Sequence, residues 1–315
     1  MAIGPSAYQG KGWRPRRAAL AAELAAAGAP RVDSEYKRLL AVLLYRPGPE
    51  MKLVKDPNSV QHLARVDAAA AGREYAALAA AFRRCGTAVH FIGAAFPKGA
   101  EKFNLMYVRD LFVNTPEGAV VARMASEVRA GEELYASAAL AGRGVPVVRT
   151  VAGRGTFEGA DALWLDPRTV LCGIGNRTNA EGFRQLRAAL AEQGVTARAV
   201  RMPGGVQHLL GLLQIVDRRL ALLRTRKAPA ALAALLKAKG FKIVPVPEGP
   251  EVSPGQGMNV VTVAPRRVIM AAGCPGLKRL YEKAGLRVAA EVKISQLING
   301  AGGIACATGI LSRDI

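Results

Sequence analysis

ALWLDPRTVLCGIGNRTNAEGFRQLRAALAEQGVTARAVR, Ala162 to Arg201, contains one complete structural unit. The apolar runs Ala162 to Leu165 and Thr169 to Ile174 flank an Asp166-Pro167 turn, which predicts a hairpin. Ala180 to Glu192 follows with helical periodicity, and Thr196 to Arg201 reads as a third strand. The order is strand, strand, helix, strand.

The same order recurs on both sides. Upstream, Met106 to Asn114 and Ala119 to Met124 are predicted to pair around Thr115-Pro116-Glu117-Gly118, before a helix over Gly131 to Leu140 and a strand over Val145 to Val151. Downstream, Gly211 to Val216 and Arg219 to Leu223 precede a helix from Pro229 to Lys239 and a strand from Phe241 to Val246. A fourth copy joins Asn259 to Val263 with Arg267 to Ala271 around Ala264-Pro265, then a helix over Gly276 to Ala284 and a strand over Arg287 to Val292. The period is about 50 residues.

Near the start, LLAVLLY (Leu39 to Tyr45) is a buried-strand pattern closed by Arg46-Pro47-Gly48-Pro49. With the helix Val66 to Cys85, the strand Ala88 to Ile92 and the C-terminal turn, it makes a fifth unit. Such a unit cannot bury both faces alone, so the copies should pack around a common centre. No long Pro- or Ser-rich linker divides the chain. The expectation is an N-terminal extension, residues 1–37, and one compact α+β domain, residues 38–315.

Half of the residues are hydrophobic and 22% are charged, which is the composition of a globular chain rather than a disordered one. No uncharged apolar run reaches the length of a membrane span. The net charge of +20 raises the question of nucleic acid. The basic residues are spread along the chain, aromatics are only 5%, and neither an RNP-like pattern nor zinc-finger spacing occurs, so nucleic acid is not the expected partner. The four cysteines, Cys85, Cys172, Cys274 and Cys306, form no CxxC, and only three histidines are present. That argues against a disulfide framework and against a zinc site, and makes a reducing, cytoplasmic location the expectation. The basic stretch Lys11 to Arg31 reads as an exposed helix leading into the domain rather than a transit peptide.

Four short segments carry the candidate chemistry. NGAGGIACATGIL (Asn299 to Leu311) sets Cys306 just after a glycine-rich turn, where the missing side chains would let a flat substrate approach a thiol. QHLLG (Gln207 to Gly211) follows Met202-Pro203-Gly204-Gly205, a loop expected to expose His208 as a general acid/base. FEGAD (Phe157 to Asp161) places Glu158 and Asp161 in a glycine-bracketed turn. MYVRD (Met106 to Asp110) puts Arg109 and Asp110 in an otherwise apolar strand, where alternation buries at least one of them, and a buried charge requires a partner. A thiol, a histidine and two acids suit attack on a planar cationic carbon: a carboxylate holds the cation, and the cation lowers the thiol pKa.

These segments, with VLLYRPG (Val42 to Gly48) and RTN (Arg177 to Asn179), resemble the guanidino-group modifying enzymes, the amidinotransferase and arginine deiminase superfamily. They occur in that superfamily's order over residues 42–309. The resemblance implies a pentein fold, a five-bladed ββαβ α/β-propeller with pseudo-fivefold symmetry. It implies Cys306 as nucleophile, His208 as acid/base and Glu158 as its carboxylate partner. Asp110 would be the guanidinium ligand, Asp161 part of the same carboxylate turn, and Arg129 and Arg177 the arginines for a substrate carboxylate.

Two departures narrow the reading. Leu210 stands where arginine deiminases and amidinotransferases usually carry an acid two residues after the histidine, which makes the chain most similar to dimethylarginine dimethylaminohydrolases. Ala305 precedes the cysteine where many relatives place a larger polar residue. The expected activity is hydrolysis of an L-arginine-type guanidinium to a ureido product such as citrulline, with no metal and no cofactor. Two alternatives stay open: an amidinotransferase that moves the amidino group to an acceptor amine, and a non-catalytic pentein that binds RNA or a ribosomal partner. The expected partner is a small guanidino substrate, without a membrane, and a homodimer is open as the assembly.

Overall fold

The computed structural model describes residues 10–315, so part of the extension expected over residues 1–37 falls outside the described residues. Chain order begins with α1 (Leu20–Ala26), β1 (Leu39–Leu44), α2 (Ala68–Arg84) and β2 (Ala88–Phe91). Four units with the predicted order follow. They are β3 (Phe112–Thr115), β4 (Gly118–Val121), α3 (Glu132–Ala141) and β5 (Val147–Thr150), then β6 (Ala162–Asp166), β7 (Thr169–Ile174), α4 (Ala180–Ala191) and β8 (Thr196–Arg201). The third has β9 (Leu213–Asp217), β10 (Leu220–Leu223), α5 (Ala230–Ala238) and β11 (Lys242–Pro245), and the fourth β12 (Val261–Ala264), β13 (Arg267–Ala271), α6 (Pro275–Lys283) and β14 (Arg287–Val292). The chain closes with α7 (Ser295–Asn299), α8 (Ile304–Ala307) and β15 (Gly309–Arg313).

Among the described residues the strands form five three-stranded sheets. In each of the four repeated units the first two strands are antiparallel and the strand after the helix runs parallel to the middle one. The fifth sheet has the same pattern with split origins: β15 pairs antiparallel with β1, and β1 pairs parallel with β2. The C-terminal segment, expected only as a turn, therefore supplies a strand.

Burial follows strand position. The middle strands β4 and β10 (Leu-Ala-Leu-Leu) are buried along their whole length, as expected where both faces are covered. The last strand of each sheet is largely open, and β8 carries Arg198 and Arg201 outward, charges that discourage edge pairing. Neighbouring sheets are tied one to the next. Asn114 Nδ2 donates to Leu311 O at 2.5 Å, Trp164 Nε1 to Asn114 O at 3.2 Å, and Arg266 N to Val216 O at 2.8 Å. β6 lies against β9, and Arg313 Nη1 reaches Thr262 O at 2.9 Å, so the last repeated unit touches the split sheet.

The strand predicted over Met106 to Asn114 begins only at Phe112. Val108–Leu111 instead forms a 3-10 turn that buries both Arg109 and Asp110. Strand alternation no longer applies, and the two charges find separate partners: Arg109 pairs with Glu35 at 3.0 Å, Asp110 with Arg129. A similar 3-10 turn, Leu209–Gly211, delays the start of the third hairpin to Leu213. Among the described residues no helix is long and apolar enough to cross a membrane.

Candidate active site

The segments that precede β3, β9, β12 and β15 line one cavity of about 230 Å³, and the turn before β6 packs behind them through Glu158. Asp110, Arg129, Arg177, His208, Leu210, Asn259 and Cys306 all line it. One glycine brings two of the turns together. A Cβ on Gly159 would stand 2.6 Å from Arg109 O and closer still to Phe112 O, so only glycine lets the Glu158 turn press on the Asp110 turn.

His208 is 6% exposed rather than displayed on a loop, because the 3-10 turn after it tucks the ring between carboxylates. Its Nε2 lies 2.7 Å from Glu158 Oε2, and its Nδ1 lies 3.9 Å from Asp110 Oδ1. Burial works against the imidazolium, but Asp110, Glu158 and Asp161 outweigh it and raise the His208 pKa to about 9. Burial alone would raise Glu158 as well. The His208 hydrogen bond and the charges of His208, Arg129 and Arg177 instead bring it down to about 2. Glu158 Oε1 also accepts from Ala125 N at 3.2 Å and from Arg177 Nη1 at 3.3 Å.

Asp110 uses only one of its oxygens. Oδ2 pairs with Arg129 Nη1 at 2.6 Å, whereas the buried Oδ1 has no hydrogen-bond partner. A buried carboxylate oxygen without a donor is costly unless a ligand supplies one.

Two expected substrate ligands are otherwise engaged. Asp161 does not line the cavity: Oδ1 accepts from Leu209 N at 3.0 Å and Oδ2 from Thr178 Oγ1 at 2.7 Å, so its carboxylate fastens the backbone beside His208. Arg129 is 2% exposed, and its fork is held by Asp110 and by Glu132 Oε2 at 2.9 Å from Nε, with Glu158 Oε2 3.8 Å away. Its geometry fits an internal counter-charge to three carboxylates better than a free carboxylate clamp. Arg177 keeps more of its fork open, with a 15% exposed side chain on the cavity wall.

The glycine-rich turn also works differently from expectation. A Cβ on Gly302 would collide with the Tyr107 ring, and one on Gly303 would stand 2.7 Å from Asn259 Cγ. The glycines admit protein side chains, Tyr107 and Asn259, against the turn. Tyr107 Oη in turn donates to Leu297 O at 2.7 Å. Cys306 sits in α8, half-buried; burial and the Asp110 charge push its thiol up to about 11. Asn259 is the contact that sequence reasoning missed: its Nδ2 lies 3.1 Å from Cys306 Sγ. An asparagine in a Gly-Gln-Gly-Met-Asn loop has no periodic signature that would single it out.

Asp110, Glu158 and His208 each offer a ligand atom, all within 4.8 Å of one another, the spacing of a metal site. Arg129 already places a cation 2.6 Å from one of these carboxylates and 3.8 Å from the other. A metal ion there would have to displace that guanidinium, which already balances the two carboxylates.

The model of the family described as arginine deiminase matches residues 102–205 and 216–313. The N(G),N(G)-dimethylarginine dimethylaminohydrolase of Pseudomonas aeruginosa is 26% identical over 258 residues, covering 82% of this chain and 94% of its own. Among solved structures, a dimethylarginine dimethylaminohydrolase adduct with 4-chloro-2-hydroxymethylpyridine superposes with a TM-score of 0.69 at 24% identity, over 88% of this chain and all of that one. An amidinotransferase from Microseira wollei, of the saxitoxin biosynthetic pathway, gives 0.73 at 16% identity, over 91% and 98%. These low identities speak for a shared fold, while the family match runs through the turns that carry Asp110, Glu158 and Cys306. The chain belongs to the arginine deiminase family.

Proposed function

We propose that the protein is a cysteine-dependent hydrolase of an arginine-type guanidinium, built as a five-bladed propeller whose blades are the five sheets. The observation that carries the chemistry is the unpartnered Oδ1 of Asp110 on the same cavity wall as Cys306 and His208. A guanidinium N–H would satisfy that oxygen and bring the guanidinium carbon toward the sulfur. The same cation would lower the thiol pKa from its high resting value, so the nucleophile ionises with substrate in place.

Cys306 sulfur then bonds to the guanidinium carbon. His208, an imidazolium at neutral pH, gives a proton from Nδ1 to the departing nitrogen as the carbon–nitrogen bond breaks. The neutral ring next takes a proton from water, whose oxygen attacks the amidino carbon. The carbon–sulfur bond breaks, and a ureido product leaves. Glu158 keeps the ring oriented throughout and favours its charged form before and after the transfer, and Arg177 is the arginine with room for a substrate carboxylate.

Leu210 on the wall favours a methylated nitrogen, which meets an apolar side chain there rather than a carboxylate that seeks a donor. The relatives named as dimethylarginine dimethylaminohydrolases support this reading. The test is incubation with L-arginine, asymmetric dimethylarginine and agmatine, each with and without an acceptor amine, followed by assay of the ureido product. Ureido product without acceptor supports hydrolysis. Turnover only with an acceptor would make the protein an amidinotransferase, and no turnover in any arm would remove the reading.

A further inference from the structure

Asn259 is 7% exposed and precedes Cys306 by 47 residues, yet its side-chain amide is held entirely against the cysteine segment by hydrogen bonds. Its Oδ1 accepts from Ala305 N at 2.7 Å and from Cys306 N at 3.1 Å. Two backbone donors on one oxygen fix which end of the amide is which, because a nitrogen there would face two N–H groups. The nitrogen end must then face Cys306 Sγ, and it stands 3.1 Å away. Gly303 leaves the space in which this amide lies.

We propose that Asn259 is a catalytic residue that stabilises the Cys306 thiolate as it forms, donating Nδ2–H to the sulfur while its Oδ1 pins the turn that carries it. The inference deepens the cysteine-hydrolase reading and rests on it for its role in turnover. The chemistry is one-sided: an amide N–H donates well to a sulfur anion and poorly to a neutral thiol, so the contact favours loss of the proton to solvent. Asp110 opposes ionisation from nearby, and the Asn259 contact, with Arg129, pulls the other way. The arrangement lets Asp110 attract the guanidinium without silencing the nucleophile beside it.

Asn259→Asp separates the two halves of the contact. It keeps an oxygen for the Ala305 and Cys306 N–H groups and replaces the sulfur's donor by an anionic oxygen. Alkylation of Cys306 by iodoacetamide, followed across pH by mass spectrometry of the Cys306 peptide, reads thiolate formation without any substrate. The expected result is a profile shifted up by at least about one pH unit and, with an accepted guanidino substrate, a kcat lowered at least about tenfold. A profile superimposable on that of the unaltered protein would overturn the proposal. If Asn259→Asp does not fold, Gly303→Ala serves, since its Cβ would displace the Asn259 amide from the sulfur. The same upward shift is expected, and an unshifted profile is equally fatal. Because alkylation needs no turnover, a protein inert toward every guanidino compound would defeat the functional reading and leave the thiolate assignment to stand or fall by its own result.

Discussion

Glu158 Oε2 and His208 Nε2 are 2.7 Å apart although the two residues are 50 positions apart in the chain, and both are buried. The contact favours the charged form of the ring at neutral pH. With Glu158 down at about 2 and His208 up at about 9, the pair is ionised between those limits.

The sign of the pH dependence follows. A raised histidine pKa contributes stability that is fully present below the ordinary value and is lost as pH rises through about 9. The depressed Glu158 contributes stability present above the ordinary carboxylate value and lost as pH falls toward about 2. Glu158→Gln removes the charge, so the alkaline limb of kcat/KM should move to lower pH. An unmoved limb in a folded variant would assign that limb to another group.

Cys306→Ser should abolish turnover with the fold intact, since a hydroxyl does not form the required anion; circular dichroism checks the fold. For His208→Ala a loss of at least about 100-fold is expected, the lower range for general acid/base groups. If the second step is the one lost, an amidino adduct accumulates on Cys306 and appears in an intact-protein mass spectrum. Full activity of the serine variant would remove Cys306 as nucleophile.

Asp110→Asn keeps the shape of the side chain and deletes the charge. The hydrogen bond to a cation that disappears is worth about 1.5–3 kcal/mol, or about 10- to 150-fold in kcat/KM. Arg129 loses a partner at the same time, so a lower melting temperature should accompany the kinetic defect. Normal binding and turnover would leave Asp110 as a structural residue only.

Leu210→Asp tests the apolar corner of the cavity. The new carboxylate should favour a nitrogen with hydrogens over one with methyl groups and lower the ratio of kcat/KM for asymmetric dimethylarginine over that for arginine. A methyl group in such a pocket is worth about 1–3 kcal/mol, so a change of at least about tenfold is expected. An unchanged ratio would show that the methylated nitrogen does not lie against Leu210.

Four of the five sheets were legible because each lies in one stretch of chain with its own turn chemistry, as Asp166-Pro167 shows for β6 and β7. The split sheet was only half legible. The pairing of Leu39 with Arg313 leaves no local trace, and β15 looks like a tail until its partner is seen. Asp110, His208, Leu210 and Cys306 on the cavity wall were marked by motifs, but Asn259 was not, and neither was the company these residues keep. Arg129 meets Glu132 three residues on, a spacing open to reading, and yet what disengages it from solvent is Asp110 and Glu158 from other turns. His208 was expected on display because glycines precede it; its burial depends on Asp161, which reaches Leu209 N from 48 residues away.

The split sheet has a bearing on how the protein is made. β1 emerges early in synthesis, and its antiparallel partner β15 comes only after Cys306 has been joined to the chain. Throughout translation one flank of β1 stands without its neighbour, which exposes it to pairing with another chain. The thiol, for its part, is incorporated when the turns bearing Asp110, Glu158 and His208 already exist. Docking of residues 309–313 onto β1 therefore completes the split sheet only after Cys306 is in the chain, and a ribosome-bound chain short of it would hold a cavity without its thiol.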